Sequence, residues 1–140
     1  MQKLIEKLNY KGQERIALMN SDEEFAQLLS DTLKDVTIDN VIDPRYPYSF
    51  IIVFVKSIAD VNRLTCIAIH NLVADGILWY CYPKKTSKKY KSDLNRDHGW
   101  EILNNSGFHG IRMVSIDEDW SALRFRNAKF IKSTRDKPAG

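Results

Sequence analysis

The sequence predicts an α/β fold: a mostly parallel sheet with helices on both faces, closed by an antiparallel hairpin near its carboxyl-terminal end. Three observations predict it. Short apolar runs alternate with segments of helical periodicity, those runs are continuous rather than alternating, and the last two apolar segments are joined by a short acidic turn. Continuous runs belong to strands covered on both faces, the position of central parallel strands. Strands joined by a short turn pair antiparallel instead.

The first run, Ile16-Ala17-Leu18-Met19, predicts the first central strand. Ser21 with Glu24 three residues later has the pattern of a capping box, and Phe25, Leu28 and Leu29 give the helix behind it an apolar face. Val36 to Ile42 reads as a weaker strand that enters Asp43-Pro44-Arg45-Tyr46-Pro47, a loop whose prolines forbid regular structure. Phe50 to Val55 is the second central strand, and Ser57 caps a helix carrying Ile58, Val61, Leu64, Ala68 and Leu72 to a glycine stop at Asp75-Gly76. Ile77 to Tyr82 is the third central strand, followed by Pro83 and a lysine-rich loop. A third helix is expected to start near Ser92, carry Leu94, Trp100, Ile102 and Leu103, and end at Gly107. Ile111 to Ile116 and Ala122 to Phe125 flank Asp117-Glu118-Asp119-Trp120 and form the hairpin. Residues 1–127 are thus predicted to be a single α/β domain, and residues 128–140 a polar, flexible tail. Alternating strands and helices imply three layers and right-handed crossovers. With the terminal hairpin this is a Rossmann-like sheet of five or six strands, a reduced methyltransferase-like variant.

A length of 140 residues suits one domain, and 44% hydrophobic with 28% charged residues excludes disordered and collagen-like chains. The longest apolar stretches, Phe50 to Val55 and Ile77 to Tyr82, are six residues each. A membrane-spanning helix needs about 20, so no membrane association is expected. The amino-terminal segment mixes charged and apolar residues and reads as no secretory leader. Cys66 and Cys81 provide neither a disulfide framework nor a paired metal spacing, and both read as small buried hydrophobes. A cytoplasmic protein is expected from this profile. The net charge of +3 conceals an asymmetry, with −2 over residues 1–70 and +5 over residues 71–140.

In open α/β sheets ligands bind beyond the carboxyl ends of the strands, where helix N-termini supply free N–H groups. The first such turn, Met19-Asn20-Ser21-Asp22-Glu23-Glu24, has no glycine to let a pyrophosphate approach and has three carboxylates to repel one. Standard nucleotide or S-adenosylmethionine binding is therefore not expected, and no cofactor is predicted. The positive feature is the loop with Lys84, Lys85, Lys88, Lys89 and Lys91. Lys84 and Lys85 adjoin a strand end and predict an anion site; Lys88, Lys89 and Lys91 read as a solvated run. Asp93 and Asp97, placed in the first turns of the expected third helix, either complement its dipole or join Lys84 in a polar site. Trp120 packs over the end of the sheet or stacks on a ligand. Four lysines on duplex DNA would give a log K against log salt slope of about −3.6, yet Tyr90 is the only aromatic among them, so nucleic acid is possible but not favoured. His70, His98 and His109 share no ligand spacing, and no GxSxG elbow is present, so neither a metal site nor a serine triad is predicted.

Taken together, Pro83-Lys84-Lys85, Ser87, Asp93-Leu94, Arg96-Asp97, Asp117-Glu118 and Trp120-Ser121-Ala122-Leu123-Arg124-Phe125 resemble the signature of a group of small bacterial proteins. That group is catalogued as a domain of unknown function with a methyltransferase-like fold. The resemblance covers most of residues 12–127 and implies the fold, not a reaction. One departure stands out: the family's first strand enters a turn with a proline and a glycine before an aromatic, whereas this chain has Asn20-Ser21-Asp22-Glu23-Glu24-Phe25. The resulting expectation is a non-catalytic binding or scaffolding domain whose ligand-facing edge comprises Lys84, Lys85, Ser87, Asp93, Asp97, Asp117 and Trp120. Its partner would be a small anionic ligand or a protein. A divergent S-adenosylmethionine-dependent transferase, or a weak nucleic-acid binder using the lysine loop, are the alternatives.

Overall fold

The computed structural model describes residues 1–131. Their elements run α1 (Gln2–Lys7), β1 (Arg15–Met19), α2 (Glu23–Thr32), β2 (Thr37–Asp39), β3 (Tyr48–Phe54), α3 (Ile58–His70), β4 (Leu72–Pro83), α4 (Glu101–Asn105), β5 (Phe108–Ser115) and β6 (Trp120–Asn127). The strands make one six-stranded sheet in the order β2-β1-β3-β4-β6-β5. β2, β1, β3 and β4 are mutually parallel, and β6 runs antiparallel to both β4 and β5. The three continuous apolar runs are the three central strands, as predicted.

Both faces of those strands are buried, which explains why their sequences do not alternate. Ala17, Ile51, Val53, Leu78 and Tyr80 pack with Val61 and Ala68 of α3 and Leu103 of α4. Ile16, Leu18, Ile52, Trp79 and Cys81 pack with Ile5 of α1 and with Phe25 and Leu29 of α2. Tyr80 is fully buried, and its hydroxyl lies 2.8 Å from that of Thr65 on α3, so the one polar atom it carries into the core is satisfied.

Several expectations need correction, and each has a local cause. The helix with Ser57 as N-cap, whose Oγ accepts from Asp60 N, ends at His70. Asp75-Gly76 is therefore no helix stop; it lies within β4, at an irregularity where Tyr48 pairs with Leu72 but Phe50 with Ile77. Asp75 adopts φ +56° there, which gives the local turn residues a different use from the one read in the sequence. The third helix does not begin at Ser92: residues 84–100 are irregular, and α4 is only Glu101–Asn105. Ser92 Oγ accepts from Leu94 N and Asn95 Oδ1 from Asp97 N, and Gly99 has φ +105°. Such side chain to backbone bonds satisfy the chain locally and displace the helix. Leu94 and Trp100 still enter the core, from loop positions.

At α2 the cap is Asp22, not Ser21: Asp22 Oδ1 accepts from Phe25 N at 2.8 Å, leaving the capping box unformed. Cys81 is buried as expected, but Cys66 is exposed on α3. α1 was not legible, because six residues show too little periodicity; tertiary contacts hold it, with Leu8 O accepting from Trp79 Nε1 at 2.8 Å. Past β6, Ala128–Phe130 form a 3₁₀ turn with Asn127 as its cap. Positions 132–140 of the predicted tail lie outside the described residues. Among the described residues no helix is long and apolar enough to cross a membrane.

Candidate functional site

The carboxyl ends of β1, β3 and β4 and the start of β6 converge on one edge of the sheet, as the topology requires. The turn after β1 is closed by its own side chain. Asn20 has φ +63°, a conformation asparagine tolerates better than most residues, and its Nδ2 donates to Phe54 O at the end of β3. Asp22 caps α2 beyond it, so the free N–H groups that would face an anion meet a carboxylate of the chain.

β2 ends at Asp39, 19 residues past Asn20. In dinucleotide-binding sheets a carboxylate about 20 residues beyond the glycine turn receives the ribose. Here Asp39 Oδ2 accepts from Arg15 Nε at 2.7 Å and from the Tyr48 hydroxyl. Burial pushes the Asp39 carboxyl up, but the hydrogen bonds from Arg15 and Tyr48 together outweigh it and hold it below the usual value. Beside it, the side-chain and backbone hydrogen bonds of Arg45 hold the Asp43 carboxyl at about 2. A folded-state value below the unfolded one, about 3.9, means that stabilisation is present above pH ~4 and is lost as pH falls through the folded value. Urea midpoints measured from pH 5 to 2 should thus fall more steeply for the wild type than for Asp43→Asn; parallel profiles would exclude this role.

The lysine loop supplies the rest of the edge. Lys84 N donates to Asp119 O at 2.8 Å, and Lys84 Nζ to Ser115 Oγ at 2.6 Å. Ser87 Oγ donates to Asp119 Oδ1 at 2.7 Å and accepts from Lys89 N and Tyr90 N. Asp117 Oδ1 accepts from Asp119 N and Trp120 N, which fixes the acidic turn. Asp93 Oδ1 accepts from Ile58 N at 2.9 Å, so the N-terminus of α3 is also occupied by the chain itself.

These bonds divide the seven predicted residues. Lys84, Lys85 and Ser87 line one cavity of about 290 Å³ together with Tyr90, Lys91 and Ser92, and no carboxylate lines it. Asp117 and Trp120 line a second cavity of about 320 Å³ with Asp22, Glu24, Glu118 and Asp119 around its aromatic wall. Tyr90 stands between the two and lines both. Its ring lies 5.1 Å from that of Trp120, and Lys56 Nζ lies 4.7 Å from its centre. Asp93 and Asp97 line neither cavity. Trp120 is a core residue, with its ring 4.9 Å from Phe54. The edge thus holds a basic cavity, an acidic and aromatic one that Lys89 also lines, and a mixed one of about 510 Å³ where Lys84, Lys88 and Lys89 face Glu118 and Asp119. Sequence reasoning missed Asn20, Asp39 and Asp119 as the residues that close the edge, because their partners lie 34, 24 and 32 residues away.

A larger cavity, about 720 Å³, lies at the opposite edge of the sheet between the end of α3 and the 3₁₀ turn, walled by Ile67, His70, Phe108 and Phe130. No group of three or more metal-ligating side chains occurs among the described residues.

No family model and no curated protein matches the sequence. Solved structures do match the fold. The N-methyltransferase NodS from Bradyrhizobium japonicum aligns at a TM-score of 0.57 and 10% identity, over 89% of this chain and 93% of that one. A ribosomal protein L11 methylase from Lactobacillus delbrueckii gives 0.54 and 12%, over 90% and 76%. Phosphoethanolamine N-methyltransferase 2 of Haemonchus contortus, in complex with S-adenosyl-L-methionine, gives 0.56 and 15%, over 96% and 39%. The corresponding edge of this chain differs from a glycine-rich cofactor turn. Three carboxylates and no glycine follow β1, the Asn20 amide seals the turn, and Arg15 and Tyr48 hold one oxygen of Asp39. At identities this low the likeness shows the architecture alone: the chain has a methyltransferase-like α/β fold.

Proposed function

We propose that this chain is a non-catalytic binding domain on a reduced methyltransferase-like fold, and that its ligand is a small molecule bearing a phosphate or carboxylate. One observation carries the reading: a cavity lined by Lys84, Lys85 and Lys91, with two serine hydroxyls and no carboxylate, opens at the sheet edge where this architecture holds ligands. Three ammonium groups around a concave surface concentrate positive potential there. Ser92 and the Tyr90 hydroxyl add donors for orientation, while the Ser87 proton is committed to Asp119. Asp93, Asp97, Asp117 and Trp120 then serve the edge by shaping it, with Asp93 and Asp117 tying down backbone that the lysines stand on.

The fold likeness favours a second reading, a divergent S-adenosylmethionine-dependent transferase, and thermal shift separates the two. Inorganic phosphate, phosphorylated sugars and short dicarboxylates are compared with S-adenosylmethionine and its homocysteine product. A ligand at 100 times its dissociation constant adds about 2.7 kcal/mol. A rise in melting temperature is expected with an anion of the first group and is expected to vanish in Lys84→Ala/Lys85→Ala. A rise with S-adenosylmethionine that the double variant retains would replace the proposal with the second reading.

A further inference from the structure

A charged surface on the terminal hairpin has a different chemistry. β5 and β6 pair with Arg112 opposite Arg124 and His109 opposite Arg126. Residues directly opposite share a face of the sheet, and so do residues two apart in one strand. His109, Arg112, Arg124 and Arg126 therefore form one basic face on the hairpin. Like charges set opposite each other across strands are destabilising, and among the described residues one carboxylate pairs with them: Asp75 takes Arg126 in a bidentate pair at 2.7 Å. Arg124 feels the charge of Asp75 but makes no pair with it, and its Nε is buried without a hydrogen-bond partner among the described residues. Burial first, then the neighbouring charges of Arg126 and Arg112, lower the Arg124 guanidinium below its ordinary value.

β5 is also the last strand of the sheet and is exposed along most of its length; Phe108 O accepts from Asn104 Nδ2, and no strand among the described residues pairs with the outer row of its backbone groups. An edge of eight residues is an open template for another strand. Ile111 and Met113 on the same strand are 39% and 46% exposed. Arginine and methionine beside an open edge are typical of protein interfaces.

We propose that β5 receives an extended segment of a partner protein in which acidic and apolar residues alternate. The segment would add a strand to the sheet, its carboxylates meeting Arg112 and Arg124 and its apolar side chains covering the exposed Met113. Strand addition draws affinity from main-chain bonds and specificity from alternate side chains, which matches a face with arginines on one side and methionine on the other. A second copy of this chain fits worse, because antiparallel pairing of two β5 strands brings a second set of arginines onto an already basic face. A phosphodiester backbone fits worse too, since it offers nothing to the apolar residues or to the open main-chain groups.

The test uses the full chain and an acetylated, amidated octapeptide of alternating Glu and Val. Amide hydrogen exchange is expected to slow at β5 when the peptide is added, and fluorescence anisotropy is expected to give an affinity that Arg112→Glu reduces at least tenfold. Arg112 is exposed, so this change leaves the core untouched; Arg112→Gln supplies a second variant with an intermediate loss. A peptide of alternating Lys and Val is expected to bind Arg112→Glu in preference to the wild type. Unchanged exchange at β5 would overturn the proposal, as would equal binding by the wild type and Arg112→Glu. So would a 12-nucleotide single-stranded RNA that binds the same face through Arg112 more tightly than the peptide.

Discussion

Trp79→Ala is expected to destabilise the protein by about 3–5 kcal/mol, the range for removing a large aromatic from a packed core. Trp79 lies in the middle of β4, fully buried, with Ile52 on one side and Arg124 on the other. Its indole carries both an apolar ring and the hydrogen bond that holds Leu8 O. Alanine there leaves a cavity in the face that contacts α1 and α2, together with an acceptor that has lost its donor. A helix as short as α1 does not stand by itself in water, so its amides should exchange at the rate of an unfolded segment in the variant. Trp79→Phe separates the two contributions. It keeps most of the volume and removes the donor, an expected loss of about 1–3 kcal/mol from the unsatisfied carbonyl. Urea unfolding of the three proteins decides the matter, and a loss below about 1 kcal/mol in Trp79→Ala would mean that the core closes without this residue.

The second large effect is expected from Trp120→Ala, again about 3–5 kcal/mol, and here it reaches the candidate site. Trp120 is buried between Phe54 at the end of β3 and Tyr90 of the lysine loop. Removing the indole takes away the apolar surface against which the loop rests. Tyr90 lines the basic cavity as well as the acidic one, so the lysines lose their spacing although none of them is altered. Anion affinity should fall together with hydrogen-exchange protection of Tyr90 N, whose bond to Ser87 Oγ depends on loop order. Trp120→Phe should retain the packing and most of the binding. An unchanged affinity in a destabilised Trp120→Ala protein would separate the anion site from the aromatic stack.

Much of the architecture was legible because burial on two faces writes itself into composition. Ile16 to Met19, Phe50 to Val55 and Ile77 to Tyr82 have no polar face, and no arrangement other than the middle of a layered fold buries them all. The hairpin was legible for a different reason, since so short a turn cannot make a crossover. Helix ends were read less well. Ser57 was a correct cap, but Asp22 took the place expected of Ser21, and Gly76 sits inside a strand. Single residues with a preference for turns do not say which of two nearby turns they serve. The expected helix at Ser92 failed because serine, asparagine and glycine gave residues 92–99 enough local hydrogen bonds without one.

The lysine loop and its place at a strand end were fixed by sequence order alone: Pro83 ends β4 and the lysines follow. Which residues gather around them was decided only in three dimensions. Asp93 reached Ile58 across 35 residues, Ser87 reached Asp119 across 32, and Asn20 reached Phe54 across 34. Each of these bonds joins segments brought together by strand order in the sheet, through the parallel strands for Asn20 and Asp93 and through the antiparallel β4–β6 pair for Ser87, and none belongs to a local segment. The same holds for the arginine face, in which Arg112 and Arg124 are twelve residues apart yet directly opposite, set there by the register of one antiparallel pair. Hydrophobic periodicity determines which elements form and which sides they bury. The charges and hydrogen-bonding groups cost little on the surface, so only the tertiary arrangement decides which of them meet.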